Sequence, residues 1–162
     1  WRDWSSDVCS SDLEVQLATF CEEPRAAYNR VRLTSYFETR DPSDLSMTSE
    51  FDKNGATSWY EENDVELYLN DKAVSIDTDK RIVIGQSGKT IEYDACVLAT
   101  GSFPFVPPIP GKQRPGVFVY RTIEDLEAML AYAKDNGVTS AAVIGGGLLG
   151  LEAAKEIGRA HV

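Results

Sequence analysis

Short apolar runs separated by turn residues dominate the chain. Runs in which apolar and polar positions alternate, or in which four or five apolar residues follow one another, predict β-strands. Such runs cover residues 15–21, 65–69, 73–76, 81–84, 90–93, 95–99 and 140–144. The three runs between 73 and 93 are joined by turn residues, which predicts a small antiparallel meander. The uninterrupted runs at 95–99 and 140–144 are typical of strands buried on both faces of a parallel sheet.

A helical period is clear in one segment. Residues 122–134 carry apolar positions every three to four residues, Thr122 is the predicted N-cap, and Asn136-Gly137 ends the helix. Residues 43–54 and 56–63 predict two shorter helices, and residues 26–37 predict loop and short helix. Together these elements predict an α/β fold with a parallel sheet and a small antiparallel meander.

The two ends of the chain have related coding strings. Residues 7–13 and residues 156–162 can be written as DNA strings that are reverse complements of each other. The string resembles a short-read sequencing adapter, and residues 2–6 continue it outward. We therefore expect 1–13 and 156–162 to be adapter-like and non-native, and exclude them from the fold prediction.

Composition narrows the function classes. The chain has 162 residues, with 16 basic and 26 acidic side chains and a net charge of −10, which argues against binding to nucleic-acid backbones. No run of eighteen apolar residues occurs, so no membrane-spanning helix is predicted. The one histidine, His161, lies in an adapter-like end, and Cys21 and Cys96 are far apart. Histidine triads and metal sites are thus not predicted, and a reducing, cytoplasmic setting fits.

A glycine-rich motif follows the second buried run. Gly145, Gly147 and Gly150 have the spacing Gly-x-Gly-x-x-Gly between a predicted strand and a helix, which is the context that a dinucleotide fingerprint requires. The first glycine permits a tight turn, the second admits a pyrophosphate to the backbone, and the third allows close packing of helix on strand. Amide groups at the start of the helix then face the phosphates. The alternative is a glycine-rich turn in an unrelated α/β protein.

Two other strand ends carry candidate site residues. Glu22 follows the first strand, where an acid can bind an adenosine ribose, although a solvated turn glutamate has the same pattern. Thr100 and Gly101 follow the run at 95–99, where backbone can approach a flavin or simply turn.

Four stretches in this order, at 20–37, 93–104, 119–126 and 144–154, make the chain resemble a known family. It is similar to the flavoprotein pyridine-nucleotide reductases of the glutathione-reductase fold. Within them it is most similar to the N-terminal flavin region of the large subunits of NAD(P)H-dependent nitrite reductases. The stretches Cys-Glu-Glu-Pro-Arg at 21–25 and Gly-Gly-Gly-Leu-Leu-Gly-Leu-Glu at 145–152 carry that closer resemblance.

The resemblance implies a domain organisation. The chain would be part of an α/β flavoprotein with two dinucleotide-binding domains. Residues 14–110 would belong to a partial FAD-binding domain that lacks its first strand and phosphate loop. Residues 111–155 would begin an NAD(P)-binding domain.

The resemblance also implies site residues. FAD would be contacted by Glu22 at the ribose, by Arg30 near the phosphates, by Ala73 at the adenine, and by Thr100, Gly101 and Arg121 at the flavin. The three motif glycines would hold the NAD(P)H pyrophosphate, with Glu152 near the nicotinamide. For Arg30 and Arg121, a solvated or ion-paired surface arginine is the alternative.

The implied activity is transfer of hydride from NAD(P)H to FAD and of electrons to a downstream redox centre. Iron–sulfur and sirohaem groups would belong to the parent protein alone. The alternatives are an NAD(P)H-dependent ferredoxin or rubredoxin reductase, and an inactive fragment. Ferredoxin-reductase relatives carry a lysine where this chain has Ser35, which weakens the first alternative.

Overall fold

The computed structural model describes residues 15–48 and 57–159. The chain divides into two compact units, one with residues 15–26 and 57–96 and the other with residues 27–48 and 97–159. The class is mixed α/β, with one parallel and one antiparallel sheet, as predicted. In the described ranges, no helix has the length and apolar character needed to cross a membrane.

The first unit contains both sheets. Strand β1 (Leu17–Phe20) pairs in parallel with β2 (Val65–Tyr68), which follows helix α2 (Ser58–Glu62). The rings of Phe20 and Tyr68 stack with centroids 5.2 Å apart at the last register position. Stacked cross-strand aromatic pairs add to sheet stability, so this pair anchors the carboxyl end of both strands.

The predicted meander is confirmed. Strands β3 (Ala73–Asp77), β4 (Ile82–Gly85) and β5 (Thr90–Glu92) pair antiparallel in that order. The buried carboxylate of Asp71 organises the turn after β4, because it accepts hydrogen bonds from the Ser87 amide at 2.9 Å and from the Ser87 hydroxyl at 2.5 Å.

The second unit is helical. It contains a 3₁₀ helix (Arg30–Ser35), helix α1 (Tyr36–Thr39), a second 3₁₀ helix (Pro42–Leu45), helix α3 (Ile123–Asp135) and helix α4 (Leu148–Arg159). Its core consists of seven buried side chains from the two 3₁₀ helices, α1, α3 and the segment before them: Tyr28, Leu33, Tyr36, Phe37, Leu45, Ile123 and Leu126. This core fixes the first 3₁₀ helix against α3.

Both predicted ends of the long helix are confirmed. Thr122 caps α3, and the helix ends at Asp135 before Asn136 and Gly137, where Gly137 has a φ of +57°. The short helix predicted over 56–63 is present as α2.

The predicted helix over 43–54 is wrong in its described part. Residues 42–45 form a 3₁₀ helix, and residues 46–48 form no helix. Asp41 is the N-cap of this 3₁₀ helix, and the Ser46 hydroxyl accepts from the Thr48 amide at 3.2 Å. Such local side-chain bonds compete with continuation of a helix. Residues 49–54 lie outside the described ranges.

The two strands predicted to be buried on both faces are not formed. Val97 is 86% exposed and Ile144 is 79% exposed, and residues 95–99 and 140–144 belong to no strand. Cys96 is exposed as well. A strand becomes buried on both faces only when strands flank it and helices cover it. Within residues 15–48 and 57–159, no strand pairs with either segment.

Candidate functional site

The three motif glycines in the loop before α4 have different steric surroundings. Gly145 has a φ of +135°, which side chains rarely adopt. A Cβ on Gly150 would overlap the carbonyl oxygen of Gly145, whereas a Cβ on Gly147 would have nothing within 4 Å. The loop is therefore tight where the helix packs on it and open at its middle glycine. This is the shape that lets a phosphate approach the backbone.

The start of α4 lies inside the motif. The helix begins at Leu148, and the Leu151 amide donates to the Gly147 carbonyl at 3.1 Å. The amide groups of the first turn thus follow the open glycine directly. Unpaired N–H groups at a helix start attract anions, so loop and helix together fit a pyrophosphate.

Three of the predicted FAD contacts, Arg30, Gly101 and Arg121, converge in the second unit. Arg30 Nη1 donates to the carbonyl oxygen of Arg121 at 3.2 Å, across 91 residues of sequence. Gly101 has a φ of +65°, and a Cβ built there would lie 3.7 Å from Arg121 Nη2. The backbone at Gly101 is therefore next to the Arg121 guanidinium. Thr100 precedes it and is exposed.

A capping box fixes the backbone of Arg121. The Asp125 carboxylate accepts hydrogen bonds from the amides of Arg121 and Thr122, both at 2.9 Å, and the Thr122 hydroxyl accepts from the Asp125 amide at 3.2 Å. These bonds satisfy the donors that a helix start leaves unpaired. They also set the direction in which the Arg121 carbonyl faces Arg30.

Glu152 is held by the same 3₁₀ helix that carries Arg30. The Thr34 hydroxyl donates to Glu152 Oε2 at 3.3 Å. The neighbouring Ser35 hydroxyl donates to the Arg32 carbonyl at 2.8 Å. Glu152 is therefore oriented by a neutral hydroxyl.

The carboxylates of Glu152 and Glu156 act on the nearby hydroxyl of Tyr120. Burial raises the pKa of the nearby Tyr120 hydroxyl above its usual value, and the carboxylates of Glu152 and Glu156 raise it further. Thr34 acts in the opposite direction and lowers the pKa of Tyr120.

Glu22 and Ala73 lie in the first unit. Glu22 follows the end of β1 and forms an ion pair with Lys72, at 2.9 Å between Oε2 and Nζ. Both side chains are about half exposed, at 44% and 49%. Ala73 comes directly after Lys72 and begins β3. The ion pair thus links the predicted ribose contact to the segment of the predicted adenine contact.

Sequence reasoning missed Tyr28 and Thr34. Tyr28 contacts Arg30 and Thr34 contacts Glu152. Residues 26–37 have no regular hydrophobic period, so no pattern marked either side chain.

In the described ranges, no group of three or more histidine, cysteine, aspartate or glutamate side chains is placed to hold a metal ion.

Known proteins resemble the chain over most of its length. It is 41% identical over 149 residues to the nitrite reductase (NADH) large subunit of Escherichia coli, which covers 92% of this chain and 16% of that protein. It is 42% identical over 143 residues to the nitrite reductase [NAD(P)H] of Bacillus subtilis, covering 88% of this chain and 17% of that protein. The chain thus spans about one sixth of the length of these relatives.

Solved structures also match the chain over most of its length. The NADH:rubredoxin oxidoreductase from Clostridium acetobutylicum matches with a TM-score of 0.75 and 26% identity, over 89% of this chain and 35% of that one. A NAD-dependent persulfide reductase from A. fulgidus matches with a TM-score of 0.81 and 22% identity, over 91% of this chain and 28% of that one, and so shares the fold. The pyridine nucleotide-disulphide oxidoreductase family model matches residues 10–162, and the chain belongs to that family.

Proposed function

We propose that this chain is part of the FAD- and NAD(P)H-binding region of a nitrite reductase large subunit. In the parent protein, this region would take reducing equivalents from NAD(P)H and pass them to a downstream redox centre. The identities of 41% and 42% to two nitrite reductases support this choice of parent. We also propose residues 14–110 as the partial FAD domain, residues 111–155 as the start of the NAD(P) domain, and a cytoplasmic location.

One observation carries the FAD assignment. Arg30, Gly101 and Arg121 come from three distant segments and converge through the 3.2 Å hydrogen bond and the 3.7 Å approach at Gly101. Two guanidinium groups beside an open stretch of backbone fit a cofactor that carries a pyrophosphate and a planar ring. In the first unit, Glu22 would accept from the ribose hydroxyls, with Lys72 holding its carboxylate in place.

The glycine-rich loop fits the pyrophosphate of NAD(P)H. The open backbone at Gly147 and the crowding at Gly150 are the steric conditions that such a site needs. Glu152, whose carboxylate accepts a hydrogen bond from the Thr34 hydroxyl, would lie near the nicotinamide end of the bound cofactor.

A flavin bound by these residues would supply the redox chemistry, namely hydride acceptance from a nicotinamide and one-electron transfer to a metal centre. The residues of this chain bind and orient. Arg30 would neutralise phosphate charge, Arg121 would contact the flavin, the glycines would admit backbone contact, and Glu152 would lie near the nicotinamide. Iron–sulfur and sirohaem groups would be held by other parts of the parent.

A second candidate is an NAD(P)H-dependent ferredoxin or rubredoxin reductase. The likeness to the NADH:rubredoxin oxidoreductase favours it, at a TM-score of 0.75. Ser35 argues against it, because its hydroxyl is directed to the Arg32 carbonyl in the place of a lysine. The parent gene product distinguishes the two, since NAD(P)H-dependent reduction of nitrite to ammonia is expected only of the first.

Titration of the 162-residue chain tests the binding sites themselves. We expect FAD to shift the NMR signals of the Arg30 and Arg121 side chains, and NADH to shift the amides of Gly145 and Gly147. Both effects should saturate, and both ligands should be lost on gel filtration. Signals at these positions that do not respond to FAD or to NADH would contradict the proposal.

A further inference from the structure

Tyr28 makes two contacts with Arg30. Its hydroxyl accepts a hydrogen bond from Arg30 Nη1 at 2.8 Å. The guanidinium carbon also lies 4.7 Å from the centroid of the Tyr28 ring, which is within cation–π range. The side chain of Tyr28 thus meets the arginine with both its face and its polar tip.

Tyr28 is itself held firmly. It is 9% exposed and belongs to the core of the second unit. Its backbone forms an antiparallel bridge with Ser46, flanked by hydrogen bonds from Asn29 to Leu45 and from Met47 to Ala27 at 2.8 and 3.0 Å. A ring fixed at both backbone and side chain is a rigid support for a long, rotatable side chain.

The two acceptors of Arg30 Nη1 fix the plane of the guanidinium. One is the Tyr28 hydroxyl and the other is the Arg121 carbonyl at 3.2 Å. An arginine held in one plane loses less side-chain entropy when it meets a phosphate, because its fork of donors is already oriented. The gain is therefore in affinity for an anion that approaches this plane.

We propose that Tyr28 is a positioning residue that orients Arg30 for the pyrophosphate of FAD. The inference rests on the proposed function, in which Arg30 meets the FAD phosphates. Tyr28 acts through Arg30 and touches no phosphate itself. The Tyr28 hydroxyl is needed for this role, because it accepts the hydrogen bond that fixes the plane of the Arg30 guanidinium.

A double-mutant cycle with FAD titration tests this role. Tyr28→Phe keeps the buried ring and removes the hydroxyl, and we expect FAD to bind the 162-residue chain about fivefold to tenfold more weakly. Arg30→Gln should weaken binding further. In the Arg30→Gln background, Tyr28→Phe should have no additional effect, because the residue through which it acts is gone.

Tyr36→Phe is the matched control. Tyr36 is equally buried in the same core, and its hydroxyl donates to Glu127 at 3.2 Å rather than to a predicted site residue. FAD affinity should be unchanged in this variant. Urea midpoints of all variants separate a change in binding from a loss of folding.

Each contrary result has its own meaning. Unchanged affinity in Tyr28→Phe, or an equal loss in the Arg30→Gln background, would overturn the positioning role and leave the proposed function intact. Unchanged affinity in Arg30→Gln, or no FAD binding by the wild-type chain, would overturn the proposed phosphate contact and the inference with it.

A second measurement needs no variant. Hindered rotation of the Arg30 guanidinium should give separate NMR signals for Nη1 and Nη2 in the wild-type chain. Averaged signals would show that the guanidinium turns freely, which is incompatible with the proposal.

Discussion

Gly150 and Gly158 lie on the same helix, yet their surroundings are opposite. A Cβ on Gly150 would collide with the Gly145 carbonyl oxygen, and a Cβ on Gly158 would have nothing within 4 Å. The first glycine therefore permits a close approach of loop and helix. The second only adds backbone entropy to the unfolded chain.

Alanine substitutions should separate these two roles. Gly150→Ala forces the loop away from α4, and we expect a loss of about 1–3 kcal/mol of stability together with loss of NADH binding. Gly158→Ala, as the control, should be neutral or stabilising by up to about 1 kcal/mol. Urea denaturation and NADH titration measure both, and an intact NADH response in Gly150→Ala would contradict the role of the loop.

Asp71 provides a pH-dependent contact in the meander. Hydrogen bonds from the Ser87 hydroxyl, and then from the Ser87 amide, lower the pKa of Asp71 below its usual value of 3.8. A lowered pKa in the folded state means that this contact stabilises the fold above pH 3.8 and that the stabilisation is lost as the pH falls through the folded pKa.

Acidification should therefore affect wild type more than Asp71→Asn. We expect the wild-type urea midpoint to fall between pH 6 and pH 3 by a larger amount than the midpoint of the variant. Asp94→Asn removes a carboxylate at an exposed position and is the control for the loss of one negative charge. An equal fall of the urea midpoint in wild type and Asp71→Asn would show that the ionised Asp71 carboxylate does not stabilise the fold through its hydrogen bonds with Ser87.

At the scale of elements, the caps of α3 show how far local sequence determines structure. The Thr122 hydroxyl accepts from the Asp125 amide, and the Asp125 carboxylate accepts from the amides of Arg121 and Thr122. The cap of this helix thus depends on three residues that lie within five positions of sequence. This is why the helix could be predicted from its own residues.

Thr122→Ala should cost about 1 kcal/mol of stability, within a range of about 0.5–2 kcal/mol. Thr122→Ser keeps the accepting hydroxyl and should lose much less. Thermal or urea unfolding of the three proteins measures the difference. Equal losses in both variants would mean that packing of the threonine methyl group, rather than capping, is responsible.

Elements that depend on distant partners could not be predicted in the same way. The meander was predicted because its three strands are neighbours in sequence, and local turns bring them together. The apolar runs at 95–99 and 140–144 have the composition of buried strands, but burial depends on flanking strands that the described residues do not supply. The glycine loop was predicted from the spacing of its glycines and the apolar run before them. Tyr28 and Thr34 were not predicted, because they lie in a segment with no regular hydrophobic period.

At the scale of the whole molecule, the exposed apolar segments set the behaviour of the isolated chain. Large apolar side chains, among them Val97, Leu98 and Ile144, are more than two-thirds exposed. Apolar surface of this kind promotes association between copies. We expect the purified chain to self-associate, to retain no tightly bound flavin, and to oxidise NADH no faster than free FAD does.

Light scattering and absorbance at flavin wavelengths check this expectation. Val97→Lys together with Ile144→Lys should reduce association, while Val31→Lys, at a position 87% exposed on the first 3₁₀ helix, is the control for added charge. A yellow monomer with one flavin per chain would contradict the expectation.

The origin of the two ends is a separate question at this scale. Helix α4 continues through residues 156–159, and Ile157 packs partly against the core. Added residues with helical propensity extend a helix whatever DNA encodes them. The codons of the gene decide the matter, since strings at the two ends that are not reverse complements would exclude an adapter.

Arg121 joins a helix end to a guanidinium, because its amide donates to Asp125 and its carbonyl accepts from Arg30. Fraying of the first turn of α3 therefore loosens Arg30 as well. On gentle warming of a flavin-loaded parent, cofactor fluorescence should rise before the circular dichroism of the whole protein changes, and Asp125→Asn should lower the temperature of that first event more than that of the second.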